Sequence, residues 1–337
     1  MDIKVIGVDV AKNVFQVHAM DGSGRRLLNR QLKRREVQSF FANLPPALVG
    51  MEACGGAHYW AREIGAAGHR VKLINPKYVK PYVQTNKNDR TDAAAIAEAA
   101  SRSSVPSVPL KQAWQQDVQS VHRVRSQLMR ERVALGNQIR GLLGEYGIVA
   151  AKGVTALKRA VPEILENWHN GLSELMRELI AERYARFEGL EASIAEYERK
   201  LARIAREHSG CGALMQVPGI GLLGATALVA QVNDARQLKN GRALAALQGV
   251  VPKHRGTGGV ERLGAISKRG DGYVRTLFIH GARAVLQRAP SRSDRLSRWA
   301  TQVLERRGPN VAAVALANKM LRIAWAILAR DQRYQPQ

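Results

Sequence analysis

The sequence has few cysteines and few aromatic residues, and each shortage excludes a class of protein. Its 337 residues include two cysteines, Cys54 and Cys211, which are too few and too far apart for a disulfide framework or a cysteine-ligated zinc site. There are 5 Trp, 8 Tyr and 5 Phe residues, which argues against a surface that binds nucleic acid mainly by stacking bases. No apolar segment typical of a secretory signal opens the sequence.

Long apolar runs are scarce as well. The most membrane-like stretch, residues 311–329, contains Asn318, Lys319 and Arg322, so a buried helix explains it better than a membrane span. With 45% hydrophobic and 24% charged residues, the composition is that of a globular protein. We therefore expect a soluble, cytoplasmic protein with no membrane partner.

Acidic residues are outnumbered, and the excess of basic residues is uneven. Lys and Arg total 52 against 28 Asp and Glu, a formal net charge of +24. Residues 206–337 alone contain 21 basic and 7 acidic side chains. Such a surplus favours a polyanionic partner, because basic side chains that neutralise phosphates release counterions. A ribosome-associated structural protein or a merely basic enzyme are the other interpretations.

The pattern of apolar residues and turns predicts an α/β segment followed by mostly helical segments. Two alternating runs, residues 4–10 and 14–19, precede a glycine-containing turn and predict a β-hairpin. Residues 103–109 contain two prolines and predict a linker. The length suggests two or three domains, and we divide the sequence into residues 1–105, 106–208 and 209–337.

The middle segment has the spacing of a long helix with a heptad-like apolar stripe. The stripe comprises Leu190, Ile194, Tyr197, Leu201 and Ile204, and Leu172, Leu175, Leu179 and Ile180 extend a similar face. Residues 115–143 are a candidate antiparallel partner. Two interpretations stay open, a coiled-coil arm for self-association and a helical hairpin within one chain.

Four carboxylates stand out in the first segment. Asp9 lies within an apolar strand, where a charge is costly unless it is paired or bound to metal. Glu52 ends a second apolar run, and Asp89 and Asp92 are three residues apart, so a helix would place them on one face. Carboxylates that converge at a sheet edge bind hard divalent cations and suit phosphoryl transfer. A helix cap at Asp89 and a solvated strand end at Glu52 are the structural alternatives.

The last segment combines glycine-rich turns with basic side chains. Residues 217–221 resemble the turn of a helix-hairpin-helix motif, in which Gly219 and Gly221 let the backbone approach a phosphate. Residues 252–264 are expected to form a glycine-rich basic loop. Basic side chains next to a hydroxyl can position a scissile phosphate and stabilise its charge. The candidate nucleic-acid-binding side chains are Lys253, Arg255, Arg262, Lys268, Arg269 and Arg275.

These motifs occur in the order and spacing of the DEDD transposases of bacterial insertion sequences, and the sequence resembles that family over nearly its whole length. The matching stretches are residues 6–12, 51–53, 74–76 and 89–93. The family is kin to the Piv DNA invertase, and its best-studied members are recombinases guided by a bridge RNA. The resemblance implies an RuvC-like, RNase H-fold N-terminal domain whose tetrad holds Mg²⁺, namely Asp9, Glu52, Asp89 and Asp92.

The resemblance also implies a C-terminal transposase domain that supplies a serine nucleophile, and here the sequence departs from the family. The family's serine usually lies five residues after a proline, and the matching position is Thr257, after Pro252. Threonine is a possible nucleophile, although its branched Cβ crowds in-line attack. The nearest serine is Ser267. Either Thr257 attacks, Ser267 replaces it, or strand transfer is weak.

The leading hypothesis is a transposase that cleaves and rejoins donor and target DNA through a covalent hydroxyl–DNA intermediate. By resemblance, a structured guide RNA would select the DNA, and the helical middle would assemble a dimer or tetramer. One alternative is a Mg²⁺-dependent hydrolytic nuclease, such as a junction resolvase that uses the same tetrad. The other is a nucleic-acid-binding protein without catalysis.

Overall fold

The computed structural model describes residues 2–83, 89–232, 234–257 and 260–336, with the side chains of Asp89, Arg255, Thr257 and Val260 outside the description. The chain divides into two compact units, Met1–Ala113 and Trp114–Gln337. The division into three domains stays a prediction, and its first segment, residues 1–105, falls within the first unit.

The first unit is a six-stranded mixed sheet with helices on both faces, and it fits the expected RNase H-like fold. The strand order is β3-β2-β1-β4-β5-β6. The strands are β1 (Val5–Val10), β2 (Val14–Met20), β3 (Arg26–Lys33), β4 (Leu48–Glu52), β5 (Arg70–Ile74) and β6 (Ser107–Val108). The helices are α1 (Val37–Ala42), α2 (Ala57–Ala66), α3 (Pro76–Val79) and α4 (Asp89–Ser101).

Local sequence explains most of these strands. β1 and β2 alternate apolar and polar residues and pair antiparallel, which confirms the predicted hairpin. The buried side chains of β1, including Ile6 and Val8, pack into a core with Phe15 and Trp60. The predicted linker is wrong in one respect, because Ser107 and Val108 pair with β5. Prolines on either side confine this short strand to the sheet edge.

The second unit is mostly helical. Its helices are α5 (Ala113–Gly144), α6 (Val154–Glu166), α7 (Glu174–Glu207), α8 (Ser209–Met215), α9 (Leu222–Gln231), α10 (Gly241–Leu247), α11 (Gly272–Arg288), α12 (Arg295–Arg307) and α13 (Pro309–Arg330). Strands β7 (Pro252–Thr257) and β8 (Val260–Ile266) form an antiparallel hairpin. The expected basic loop over residues 252–264 is therefore wrong at residues 252–257 and 260–264, which pair into strands, and residues 258–259 lie outside the described residues.

Helices α5 and α7 pack antiparallel within the chain. Arg125 pairs with Glu198, and one step along, Arg132 pairs with Glu191. Their apolar seam includes buried residues of both helices, among them Ile139 and Phe187. The structure therefore contains the helical hairpin. The expected extension of the stripe is wrong at Leu175 and Leu179, which are 72% and 38% exposed, whereas Leu172 and Ile180 are buried.

A buried polar network joins three helices of the second unit. His122 on α5 lies 3.0 Å from the Thr226 hydroxyl on α9 and 3.0 Å from the Tyr273 hydroxyl on α11. Thr226 donates its own proton to the Leu222 carbonyl, so it accepts a hydrogen bond from Nε2–H of His122. The other ring nitrogen, Nδ1, then accepts from Tyr273.

Among the described residues, one helix, α13, is long and apolar enough to cross a membrane by length and composition. In this structure its buried face, which includes Leu316, Met320 and Ile327, forms much of the core of the second unit. Lys319 and Arg322 lie on the same helix. These contacts are those of the buried helix that the sequence predicts.

Candidate active site and nucleic-acid interface

Asp9 and Glu52 lie side by side at the carboxyl ends of two parallel strands. The register of β1 and β4 pairs Gly7 with Gly50 and Val8 with Met51, and one further step brings Asp9 opposite Glu52. Neighbouring strands are about 4.8 Å apart. Since side chains alternate along a strand, both carboxylates lie on the face opposite the buried Val8 side chain. This juxtaposition of two acids is the main feature of the first unit.

Helix α4 crosses the sheet on the same face as the two carboxylates, and paired glycines make room for it. A Cβ atom at Gly7 would come 2.1 Å from the Ala93 carbonyl oxygen, and one at Gly50 would come 2.4 Å from the Ala100 Cβ. Small residues on both sides therefore allow backbone contact between helix and sheet. The alanine-rich sequence of α4 follows from this close approach.

The contact between α4 and the sheet also sets the position of the first turn of α4, which contains the other two acids of the predicted tetrad. Asp89 begins α4, and its side chain lies outside the described part of the structure. Asp92 is in the first turn, half-buried, one residue before Ala93. Among the described residues, no three His, Cys, Asp or Glu side chains come close enough together to hold a metal ion. The described part thus brings two acids of the four together.

The sheet extends the row of acids with two amides that the sequence analysis missed. Gln16 on β2 pairs with Asp9, and Gln31 on β3 pairs with Gln16. Gln16 is buried and donates a hydrogen bond to the Asn29 side chain. The alternation of β2, with Phe15 and Val17 in the core, is the signal that places Gln16 on the carboxylate face.

Cys54 lies close enough to Asp9 and Glu52 for their negative charges to affect its thiol. Partial desolvation raises the pKa of its exposed thiol, and the negative charges of Glu52 and Asp9 raise it further. Both carboxylates therefore act on one thiol. A protonated Cys54 is neutral, so it adds no charge to the acidic pair at neutral pH.

The two candidate nucleophiles lie on and just after the hairpin of the second unit. The Thr257 backbone pairs with Val260 at the end of β7, and its side chain lies outside the description. Ser267 is half-buried, donates its backbone N–H to the Val251 carbonyl at 2.8 Å and accepts at Oγ from the Arg269 N–H at 3.4 Å. Lys268 has a left-handed conformation with φ of 51°, which is uncommon for a residue with a side chain.

The basic residues around this turn divide into exposed and structural groups. Lys253, Arg262, Lys268 and Arg269 are exposed, and the Arg255 side chain lies outside the description. Arg275 is half-buried and donates to the carbonyls of Gln248, at 3.1 Å, and Lys268, at 3.3 Å. These bonds hold the turn after β8 against the end of α10.

The predicted helix-hairpin-helix glycines lie between α8 and α9. Gly219 has a φ of +86°, and a Cβ atom on Gly281 of α11 would come 1.9 Å from its carbonyl oxygen. Its close approach is therefore to a neighbouring helix. Gly221 precedes the first turn of α9, with open space around it and no side-chain cap on the helix. A phosphate role for Gly219 and Gly221 stays a prediction.

Comparison with known proteins gives matches over both units. A family model described as transposase, for the DEDD transposases of IS110 elements, matches residues 6–148. A second model, described as transposase of the IS116/IS110/IS902 family, matches residues 211–297.

Whole proteins are also similar to this chain. A probable family 20 transposase from Pseudomonas aeruginosa is 50% identical over 337 residues, which cover 100% of both chains. A transposase for insertion sequence element IS1111A from Coxiella burnetii is 43% identical, covering 99% of this chain and 92% of the other. A transposase for insertion sequence element IS1328 from Yersinia enterocolitica is 39% identical, covering 97% of each.

Proposed function

Because the chain belongs to the IS110 family of insertion-sequence transposases, we propose that it cleaves and rejoins DNA in a Mg²⁺-dependent reaction through a covalent hydroxyl–DNA intermediate. It is an enzyme that acts on DNA. The observation that supports the Mg²⁺-dependent mechanism is the juxtaposition of Asp9 and Glu52 on one face of the sheet.

The donor set fits magnesium. Mg²⁺ binds hard oxygen ligands, commonly one or two carboxylates completed by water and substrate phosphates, and DEDD transposases are generally metal-dependent. Asp9 and Glu52 would hold it, with Asp89 and Asp92 as the further members of the tetrad. Bound there, the ion would stabilise negative charge on a reacting phosphate. When they bind no cation, the carboxylates repel a phosphate. They would therefore also keep DNA from binding at this site without the metal ion.

The attacking group is a hydroxyl of the second unit, Thr257 by its position after Pro252 or Ser267 as the alternative. Its oxygen forms a bond to phosphorus and loses its proton, while one bond from phosphorus to a sugar oxygen breaks and that oxygen is protonated. Rejoining reverses the exchange with a different sugar hydroxyl. Lys268 and Arg269 are exposed next to Ser267, where they would bind the phosphate.

The same proposal includes a guide RNA, an oligomeric assembly and a cellular location. A structured RNA would guide the choice of donor and target DNA, and the net charge of +24 suits two nucleic acids. A dimer or tetramer would assemble through the α5–α7 segment. The enzyme would act in the cytoplasm, where it meets the DNA.

Removing the acid on β1 tests the tetrad. Asp9→Ala should reduce recombination by at least about a hundredfold, because a ligand of the Mg²⁺ ion that would stabilise the reacting phosphate is lost, while RNA binding stays unchanged. Asp2→Ala removes an exposed acid from the same unit and should leave recombination intact. Wild-type recombination by Asp9→Ala would contradict the role of the tetrad.

The nucleophile is tested by trapping the intermediate. With wild-type protein, end-labelled DNA should migrate with the protein on a denaturing gel, and mass spectrometry should map the phosphodiester to Thr257. Thr257→Ala should abolish this species, and Ser267→Ala should retain it. Free cleaved ends without a covalent species would instead indicate a hydrolytic nuclease.

A further inference from the structure

A large open groove lies beside the hairpin of the second unit. It is bounded by β8, α12, α13 and the start of α10, and its volume is about 1220 Å³. Pockets for small ligands usually measure about 300–1,000 Å³, so this groove has room for a segment of polymer.

The floor of the groove is aliphatic and faces solvent. Val311, Val314, Ala315 and Ile323 of α13 line it, and Leu263 of β8 lines the facing side. Val311 is 48% exposed and Leu263 is 66% exposed. Apolar side chains grouped along a groove are typical of a binding surface.

Cations surround this floor without acids among them. Arg242, Arg307, Lys319 and Arg322 line the groove, and no Asp or Glu of the described residues lines it. Within the described residues, none of the four forms a salt bridge. Lys319 lies over the Trp299 ring, 4.0 Å from its centroid.

Lys319 lies close enough to Arg322, and to Arg295 outside the groove, to be repelled by both. Burial lowers the pKa of Lys319, and the positive charges of Arg295 and Arg322 lower it further. Like charges gathered on one surface destabilise the free protein, and an anion that binds between them relieves the repulsion. The charge pattern therefore favours a ligand with several negative charges.

We propose that this groove binds an unpaired DNA strand, with its phosphates on the four cations and its bases on the aliphatic floor. Single-strand sites combine a positive groove with aromatic and apolar contacts to exposed bases. A duplex keeps its bases stacked inside and would leave the floor uncovered. The strand is DNA, since the proposed reaction cleaves DNA and leaves a DNA strand unpaired while it is exchanged.

This binding site extends the proposed function, because strand binding requires neither the tetrad nor the nucleophilic hydroxyl. It accounts for how a cleaved DNA end is kept on the protein while its partner strand is exchanged. It also gives a function to four of the 21 basic residues in residues 206–337.

The proposal is tested by fluorescence anisotropy with labelled dT15 and the full-length protein in the absence of Mg²⁺. Lys319→Gln with Arg322→Gln should weaken binding about 20-fold at 0.1 M salt and reduce the slope of log K against log salt by about 1.4, since each phosphate contact contributes about 0.7. Arg199→Gln with Arg206→Gln removes the same charge from exposed positions of α7 and should change dT15 binding little.

A second variant tests the floor without removing a cation. Val311→Glu places a carboxylate at an exposed position, where it is compatible with folding, and should weaken dT15 binding at least as much. Circular dichroism confirms that each variant is folded.

Three results would overturn the proposal. These are equal losses in the groove and control variants, rU15 binding as tight as dT15 binding, and tighter binding of a 15-base-pair duplex with the same sensitivity to Lys319 and Arg322. Asp9→Ala should bind dT15 like the wild type. A protein that binds dT15 in the groove but never cleaves DNA would therefore contradict the proposed function alone.

Discussion

The two units hold their candidate functional residues in different ways. In the first, Asp9 and Glu52 lie on the two central strands of the sheet, beneath a helix that contacts the strands through glycine. In the second, Lys253 and Arg262 extend from a two-stranded hairpin, and Lys268 extends from the turn that follows it. Metal chemistry needs ligands fixed to within about 0.5 Å, whereas contacts to a long polyanion tolerate mobile side chains. The difference suits the proposed function, in which the first unit positions a metal ion and the second unit retains nucleic acid.

The largest expected effect comes from filling the glycine contact of the first unit. Gly7→Ala places a Cβ atom 2.1 Å from the Ala93 carbonyl and should lower the free energy of unfolding by about 3 kcal/mol, because backbone cannot move aside as a side chain can. Urea denaturation measures the loss, and hydrogen exchange should locate it in β1 and α4.

Its matched control is Gly65→Ala in α2, where the added methyl meets open space. This change should stabilise the protein by up to about 1 kcal/mol through helix propensity. In the second unit, Gly281→Ala meets the Gly219 carbonyl at 1.9 Å and should be as harmful as Gly7→Ala. If Gly7→Ala were as stable as Gly65→Ala, the glycine contact would not hold the first unit together.

Buried histidine makes the second unit sensitive to acid. Burial, with a smaller contribution from the positive charge of Arg125, lowers the pKa of His122 to about 4, and Asp271 opposes the shift. The folded state therefore keeps His122 neutral, while the unfolded chain binds a proton below its ordinary pKa of about 6.5. Stability is fully present above pH 6.5 and falls by up to about 3 kcal/mol as the pH drops toward 4.

His122→Gln should flatten this dependence, which urea denaturation between pH 4 and 7 measures. In the first unit, burial together with the positive charges of Lys111 and Arg62 lowers the pKa of His58 to about 4. His58→Gln is the matched control, and it should leave the acid sensitivity of α5, α9 and α11 in hydrogen exchange unchanged. An unaltered pH profile in His122→Gln would contradict the role of the network.

The smallest expected effect is the difference in stability between breaking an ion pair of the second unit and breaking one of the first unit. Arg132 and Glu191 join α5 to α7 with side chains 16% and 23% exposed. Glu98 on α4 pairs with Arg102, the residue that follows the helix, and their side chains are 37% and 58% exposed. Glu191→Gln should cost about 1 kcal/mol, and Glu98→Gln about 0.3 kcal/mol because solvent screens the pair. Thermal unfolding at low and high salt measures the loss of stability in both variants. Equal losses would show that the lower exposure of the Arg132–Glu191 pair does not strengthen it.

Local patterns in the sequence predict the strands and helices better than they predict how these meet. Alternation around Ile6 and Val8 predicts β1, and the heptad-like stripe through Ile194 and Leu201 predicts the inner face of α7. The hairpin of β7 and β8 was mistaken for a loop because its strands are rich in charge and glycine. Two consecutive glycines after Thr257 are nevertheless a signal for a two-residue hairpin turn.

In the candidate site too, short patterns in the sequence predict single residues better than they predict which residues lie side by side. Asp9 and Glu52 were found because acids interrupt apolar strands. Gln16 and Gln31 were missed because their place beside Asp9 depends on the register of strands distant in sequence. Register follows from packing across the whole sheet, which no short motif contains.

The glycine pair at positions 7 and 50 has a consequence for how the first unit can vary in sequence. At Gly7 the distance between α4 and the sheet is set by main-chain atoms of Ala93 and Ala97, and at Gly50 by the Cβ atom of Ala100. The helix can therefore exchange outward-facing residues freely without changing the depth at which Asp92 is held. The strands beneath it tolerate no such exchange, since the smallest possible side chain would already lift the helix away from the two acids.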